Sequence, residues 1–168
     1  PERSASRMSA SIDLDQFSDQ FKPFVQGIFG GDWPHKPQGL KKLGIMPEHW
    51  LKHIEPGHVR YIWPNDGSHD IQPNRAFGGW VGALSDHVVS ICMFSALKNG
   101  EAFTTQDLQI KLFRPVSQGD ISIEATVLNR SRTTGYVEAE WKNAEGKLLA
   151  KVLAWKAIRS VEAIHGQR

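Results

Sequence analysis

One stretch limits what this chain can fold into more than any other. It runs from Asn74 to Leu97 and reads Asn-Arg-Ala-Phe-Gly-Gly-Trp-Val-Gly-Ala-Leu-Ser-Asp-His-Val-Val-Ser-Ile-Cys-Met-Phe-Ser-Ala-Leu. Beyond Gly78 and Gly79 it is an apolar run long enough for a helix of about 30 Å. Trp80, Val81, Ala83, Leu84, Val88, Val89, Ile91, Cys92 and Leu97 spread around most of the circumference. A helix apolar on nearly every side has to be wrapped by the rest of its domain. One acid, Asp86, interrupts the run. Gly78, Gly82, Asp86, Ser90 and Met93 fall on one narrow strip of small or polar residues.

A carboxylate in an apolar setting is costly unless it is paired or hydrogen-bonded. Asp86 can therefore be structural, capping a loop or pairing with Arg75, Arg114 or Lys111. It can equally be a general base or nucleophile held in a cleft. The glycines supply a partner for the second role. Amides at a helix start are unsatisfied donors at a positive dipole end. Without side chains, Gly78 and Gly79 let a ligand oxygen approach them closely. An oxyanion site and a carboxylate on one strip suit acyl transfer.

The remaining pattern supplies the wrapping. Four strand candidates follow the helix: Phe103 to Arg114, Asp120 to Arg130, Gly135 to Asn143 and Lys147 to Ile158, the last apolar on both faces. Lys98-Asn99-Gly100 ends the helix, and Pro115–Gly119, Ser131–Thr134 and Asn143–Gly146 are the turns. A further strand, Gly57 to Trp63, precedes the helix. The expected class is α+β, with a four-stranded antiparallel meander around the helix. Residues 1–11 read as a polar, disordered lead-in, and Ile12 to Phe29 as a helix that Pro23 weakens. Gly30 to Gly44 reads as a loop, and a short helix is expected around Pro47 to Lys52. That helix would carry His49 and His53 at i and i+4, a zinc spacing without a recognisable third ligand, so no metal is expected. The domain is expected at 56–160, with an extension at 1–55 and a tail at 161–168.

Composition excludes little beyond this. A net charge of +2 gives no electrostatic reason to expect nucleic acid or a membrane surface as partner. No transmembrane-length run and no signal peptide stand out. The single cysteine, Cys92, excludes an internal disulfide and fits a reducing, cytoplasmic setting.

Phe77-Gly78-Gly79, then Asp86, then the run Thr104 to Val116 with Gly119-Asp120, and finally Glu145 to Ala150, resemble hotdog-fold acyl-CoA thioesterases. The similarity is greatest to the phenylacetate-degradation (PaaI-like) branch. It covers about Gly57 to Ile158. It implies a curved antiparallel sheet wrapped around a long central helix. It also implies homodimers joined edge to edge, often paired into tetramers, with active sites at the dimer interface. The acid nine positions after the start of the family's His-Gly-Gly motif falls on Asp86 as the catalytic carboxylate. The oxyanion amide falls on Gly78, and the water-orienting hydroxyl on Thr105, with Thr104 one position away. Asn74 stands where an upstream Asn helps position the acyl carbonyl, at a shorter spacing than usual. The motif histidine is Phe77 here, a departure that changes the hydrogen bonding around the motif.

The function implied is hydrolysis of an acyl-CoA thioester to free acid and CoA, CoA being part of the substrate and no cofactor being needed. Arg114, Arg130 and Arg132 are candidates for the CoA phosphates. Phe77, Gly79 and Thr104 are further substrate-binding candidates, and Val81, Leu84 and Val89 would line an apolar acyl pocket. Two alternatives are a non-catalytic acyl-CoA-binding or assembly hotdog protein and a hotdog hydratase using Asp86-His87. Adjacent helix residues point about 100° apart, which counts against the hydratase.

Overall fold

The computed structural model describes residues 12–30, 33 and 35–165. The polar lead-in, residues 1–11, lies outside them, as do residues 166–168. Ile12 to Phe29 is not one helix. A single 3-10 turn, Leu14–Gln16, capped by Asp13, is followed by α1, Lys22–Gly30. Pro23 falls in the first turn of α1, where its missing N–H costs nothing. A second short helix, α2, spans Gln38–Leu43 and ends on Gly44 in the left-handed conformation.

The helix expected up to Lys52 is only α3, Pro47–Trp50. The chain then turns straight into β1, Leu51–Glu55. His49 thus lies on a helix and His53 on a strand, so the i, i+4 pairing that motivated a metal face does not form.

β1 pairs with β2, His58–Asn65. A small hairpin follows, β3 Asp70–Gln72 and β4 Arg75–Ala76. The central helix α4 is Gly78–Ser95. β5 Glu101–Leu112, β6 Gly119–Arg130, β7 Thr134–Lys142 and β8 Leu148–Ser160 then complete an antiparallel sheet, and α5, Val161–His165, follows.

The sheet order is β1-β2-β6-β7-β8-β5. The expected four-stranded meander is therefore only three strands, β6-β7-β8. β5 lies on the far side of β8 and pairs with it from Glu101↔Ser160 to Leu112↔Ala150. The connection after β5 explains this. Phe113 and Arg114 donate their amides to the Leu149 carbonyl, holding the chain on β8, and Pro115 then carries it away.

The sheet curls around α4. The helix's Val81, Leu84, Val88, Val89 and Cys92 are fully buried, against strand residues that include Tyr61, Trp63 and Trp141. The strip of small residues faces β5, β8 and β7. Gly78 lies beside Leu112 and Gly82 beside Ile110, while Met93 sits on Gly135. Small residues are needed here because the backbone approaches the strand side chains closely.

The N-terminal extension docks on the helix. Phe21 is buried edge-to-face on Phe94, with ring centroids 4.7 Å apart. Asp19 and Asn99 exchange two hydrogen bonds. The Gln20 amide donates to the Lys98 and Glu101 carbonyls. These clamps fix the chain just before α1 against the C-terminal end of α4 and the start of β5.

Candidate functional site

Asp86 projects from the middle of α4 with half its side chain exposed. Its cationic neighbour is none of the three expected. It is Lys156 of β8, whose Nζ lies 3.9 Å from Asp86 Oδ1. Lys156 is fully buried. Its ammonium donates to Thr105 Oγ1 at 2.7 Å and to Ser90 Oγ at 3.0 Å, and lies 5.2 Å from the centre of the Phe103 ring. Burial pulls its pKa down from 10.5 to about 8, while the Asp86 carboxylate opposes the fall.

Register brings these groups together. Lys156 pairs with Thr105 on one side and Gly135 on the other. The pairing slips by one residue between Thr105 and Asp107, so β5 is bulged at Gln106 beside the cluster. Of the two threonines, Thr105 reaches the lysine, and Thr104 is exposed one position away.

A cavity of about 850 Å³ opens on this cluster, with Ala83, Asp86, His87 and Ser90 of α4 on one wall. Its other wall is the extension, including Phe24, Trp33 and Leu40. His87 is buried, and its Nε2 lies 3.1 Å from the Tyr61 hydroxyl. Burial drives its pKa down to about 3, so it is neutral at physiological pH. Tyr61 is buried too, and burial holds its hydroxyl well above the usual tyrosine range, so both partners of this contact are neutral.

Gly78 stands elsewhere. It is the first residue of α4, and the first main-chain bond back into the helix runs from the Val81 amide to the Phe77 carbonyl. The Gly78 and Gly79 amides lack intrahelical acceptors. They are exposed, and Gly78 lines a second cavity of about 300 Å³ with Arg75, Val81, Leu112 and Arg114. Eight residues separate Gly78 from Asp86, about 12 Å along the axis. One protomer therefore cannot present both to the same carbonyl carbon.

The other expected residues are distributed as follows. Phe77 caps α4 with an exposed ring, and a Cβ on Gly79 would come within 2.5 Å of that ring. Asn74 adopts φ 58° in the β3–β4 turn, and its Oδ1 accepts the Gln118 amide at 2.8 Å, which makes it a turn latch. Arg114 donates to the Leu148 carbonyl at 2.7 Å. Arg130 is ion-paired with Glu101 and so is already neutralised. Arg132 is exposed in the β6–β7 turn. Leu84 and Val89 are in the core, and the large cavity is bounded by Ala83 and Phe94 from α4 instead. Among the described residues, His53, Glu55 and His58 bring three potential metal-ligand atoms within 4.8 Å of one another on the β1–β2 hairpin. The His58 ring is engaged there by Glu55 at 3.2 Å and Glu124 at 2.7 Å.

Sequence reasoning missed Lys156. The available signal was charge complementarity: a lone lysine at an inward position of an apolar strand and a lone acid in an apolar helix. Among the described residues, no helix is long and apolar enough to cross a membrane.

A long helix gripped by a curled antiparallel sheet in this strand order is the hotdog fold. Residues 74–150, which carry α4 and most of the sheet, match the Thioesterase superfamily. A candidate esterase of Saccharolobus solfataricus is 40% identical over 57 residues, which is 33% of this chain and 41% of that protein. The match thus spans less than half of that relative. A candidate thioesterase of Ralstonia eutropha, a phenylacetic acid degradation-related protein, superposes with a TM-score of 0.65 at 23% identity, covering 80% of this chain and 98% of that one. A Streptococcus mutans protein bound to acetyl-CoA superposes with a TM-score of 0.58 at 21% identity over 66% of this chain and 87% of that one. At these identities the structural likeness is one of fold.

Proposed function

We propose that the protein is an acyl-CoA thioesterase of the PaaI-like kind whose active site is shared between two protomers. The observation that carries this is the cluster of Asp86, Lys156, Thr105 and Ser90 at the wall of an 850 Å³ cavity in a thioesterase-superfamily domain. The CoA-bound state of a structural neighbour supports the substrate class. The lone buried cysteine fits a cytoplasmic location.

Two observations support the shared site: the axial separation of about 12 Å between Gly78 and Asp86, and the sheet edge. β5 is a twelve-residue edge strand, paired with β8 on one side only. A free edge of that length is a template for a second strand. Antiparallel pairing of β5 with its copy across a two-fold axis would set the two α4 helices antiparallel. Gly78 of one copy would then face Asp86 of the other.

In the reaction, Asp86 accepts a proton from a water held by the Thr105 hydroxyl. Lys156 donates to Thr105 Oγ1, leaving the hydroxyl proton free to orient that water. The resulting hydroxide adds to the thioester carbonyl carbon. The oxyanion is received by the Gly78 amide at the positive end of the helix. Collapse breaks the C–S bond, and the thiolate takes up the proton. The Thr105–Lys156 contact favours this general-base role over direct attack by Asp86. Arg75 and Arg114, flanking Gly78, offer cations for the CoA phosphates.

The test is release of CoA thiol from short, medium, long and aromatic acyl-CoAs, with Asp86→Asn alongside. Wild-type turnover should fall by about 10²–10⁴ in the variant at unchanged fold. Binding of acyl-CoA without turnover by the wild type would instead identify a non-catalytic acyl-CoA-binding protein.

A further inference from the structure

The extension is not a tail resting on the domain. It is a built wall. Phe17, Phe21, Val25 and Ile28 are buried, and the Phe24 and Trp33 rings meet edge-to-face at 5.2 Å. Gly27 is required for that, since a Cβ there would lie 2.8 Å from Cδ1 of Trp33. Lys36 pairs with Glu48 at 2.8 Å, tying the start of α2 to α3. The segment touches α4 where Phe21 packs on Phe94, and between Phe24, Trp33 and Leu40 and the middle of the helix it leaves an open cleft. The space lies directly against Asp86, and the wall opposite carries the apolar side chains of Phe24, Trp33, Leu40 and Ile45.

We propose that this cavity is the acyl-binding site, and that the N-terminal extension makes the enzyme selective for long or bulky apolar acyl groups of about ten carbons or more. The inference rests on the thioesterase reading for its reaction but not for its ligand. A volume of 850 Å³ is in the upper range of small-molecule sites. At about 30 Å³ for a water-sized group, it has room for well over a dozen carbons. An acetyl group would leave almost all of it empty. Each methylene taken out of water contributes about a fourfold gain in binding. Asp86 and Ser90, on the α4 wall, meet the carbonyl end, while Gln26 and His35 of the extension are exposed on the opposite side. Specificity therefore comes from a segment outside the sheet-and-helix unit.

Two measurements separate the cavity from the reaction. Dodecanoate binding is followed by titration calorimetry, and kcat/KM is compared for dodecanoyl-CoA and acetyl-CoA. The wild type should bind dodecanoate and favour dodecanoyl-CoA by at least about 100-fold. Ala83→Phe, which fills the cavity from the α4 wall, should abolish dodecanoate binding and cut the kcat/KM ratio at least about tenfold. Gly39→Phe fills it from the α2 side, where a Cβ meets nothing within 4 Å, and serves if Ala83→Phe unfolds. Dodecanoate binding lost in the variants, with no turnover of any acyl-CoA by the wild type, would uphold the cavity and refute the thioesterase reading. Equal kcat/KM for the two substrates and no dodecanoate binding would overturn the cavity proposal while leaving the reaction intact.

Discussion

Replacing Lys156 by methionine separates what this residue does for stability from what it does for the site. A lysine lowered from 10.5 to about 8 is, in its charged form, a burden on the fold. At about 1.36 kcal/mol per pKa unit, the burden is about 3 kcal/mol at neutral pH. The sign follows from proton counting. Between pH 8 and 10.5 the unfolded chain holds a proton at Lys156 that the folded chain has lost, so stability rises with pH across that window. Below pH 8 both states are protonated and the full cost is present. Methionine keeps the length of the side chain and removes the charge. Ser90 and Thr105 are reached by solvent and can be rehydrated. The variant should therefore be at least as stable as the wild type at pH 7. Urea unfolding at pH 7 and pH 9 measures this. The wild type should gain about 1.4 kcal/mol on the variant between the two pH values. Taking the difference between the proteins cancels Cys92, whose thiol burial pushes up to about 12. Turnover, in contrast, should drop, because Thr105 loses its donor and Asp86 its cation. A strongly destabilised variant whose stability runs parallel to the wild type with pH would refute the reasoning and make Lys156 a structural tie.

Three other outcomes follow from particular contacts. His87 is neutral in the fold with a pKa of about 3, so the unfolded chain binds the extra proton as pH falls below 6.5. Unfolding at pH 7 and pH 4 should show a loss of about 3 kcal/mol that His87→Leu removes. Gly135→Ala would drive a methyl into the buried Met93 sulfur, and should cost about 1–3 kcal/mol in a denaturant melt. Gly79→Ala meets only the exposed Phe77 ring, which can swing aside, so it should cost less than about 1 kcal/mol by the same measurement.

The fold was readable because its dominant constraint is local. An apolar helix with one acid must be wrapped, and alternation after Leu97 supplies the wrapping. The strand ends differ from the expected ones by only one or two residues at most positions. What failed was pairing, which is set by non-local contacts. Nothing within Phe103 to Arg114 says that it should pair with β8 and not with β6. The start of β1 was hidden for a similar reason. Pro47 signals a helix, and Leu51 to Glu55 becomes a strand only because β2 is beside it. Asp86 stood out at the site because its cost is visible in sequence. Lys156 did not, because a lysine in a strand usually points to solvent. The face it occupies depends on the register between Thr105 and Gly135. The cavity was unreadable, being a gap between two segments that sequence treats separately.

The claim that one active site draws on two protomers can be tested by mixing inactive variants. Gly78→Pro removes the oxyanion amide while suiting the first helical position, where proline is favoured and Phe77 is already extended. Asp86→Asn removes the base. Each should be inactive alone as a homodimer. Unfolded and refolded together in equal amounts, they should regain about a quarter of wild-type thiol release, because half the dimers carry one intact site of two. Mixtures as inactive as their components would contradict the account, since both groups would then belong to one protomer or to no site at all.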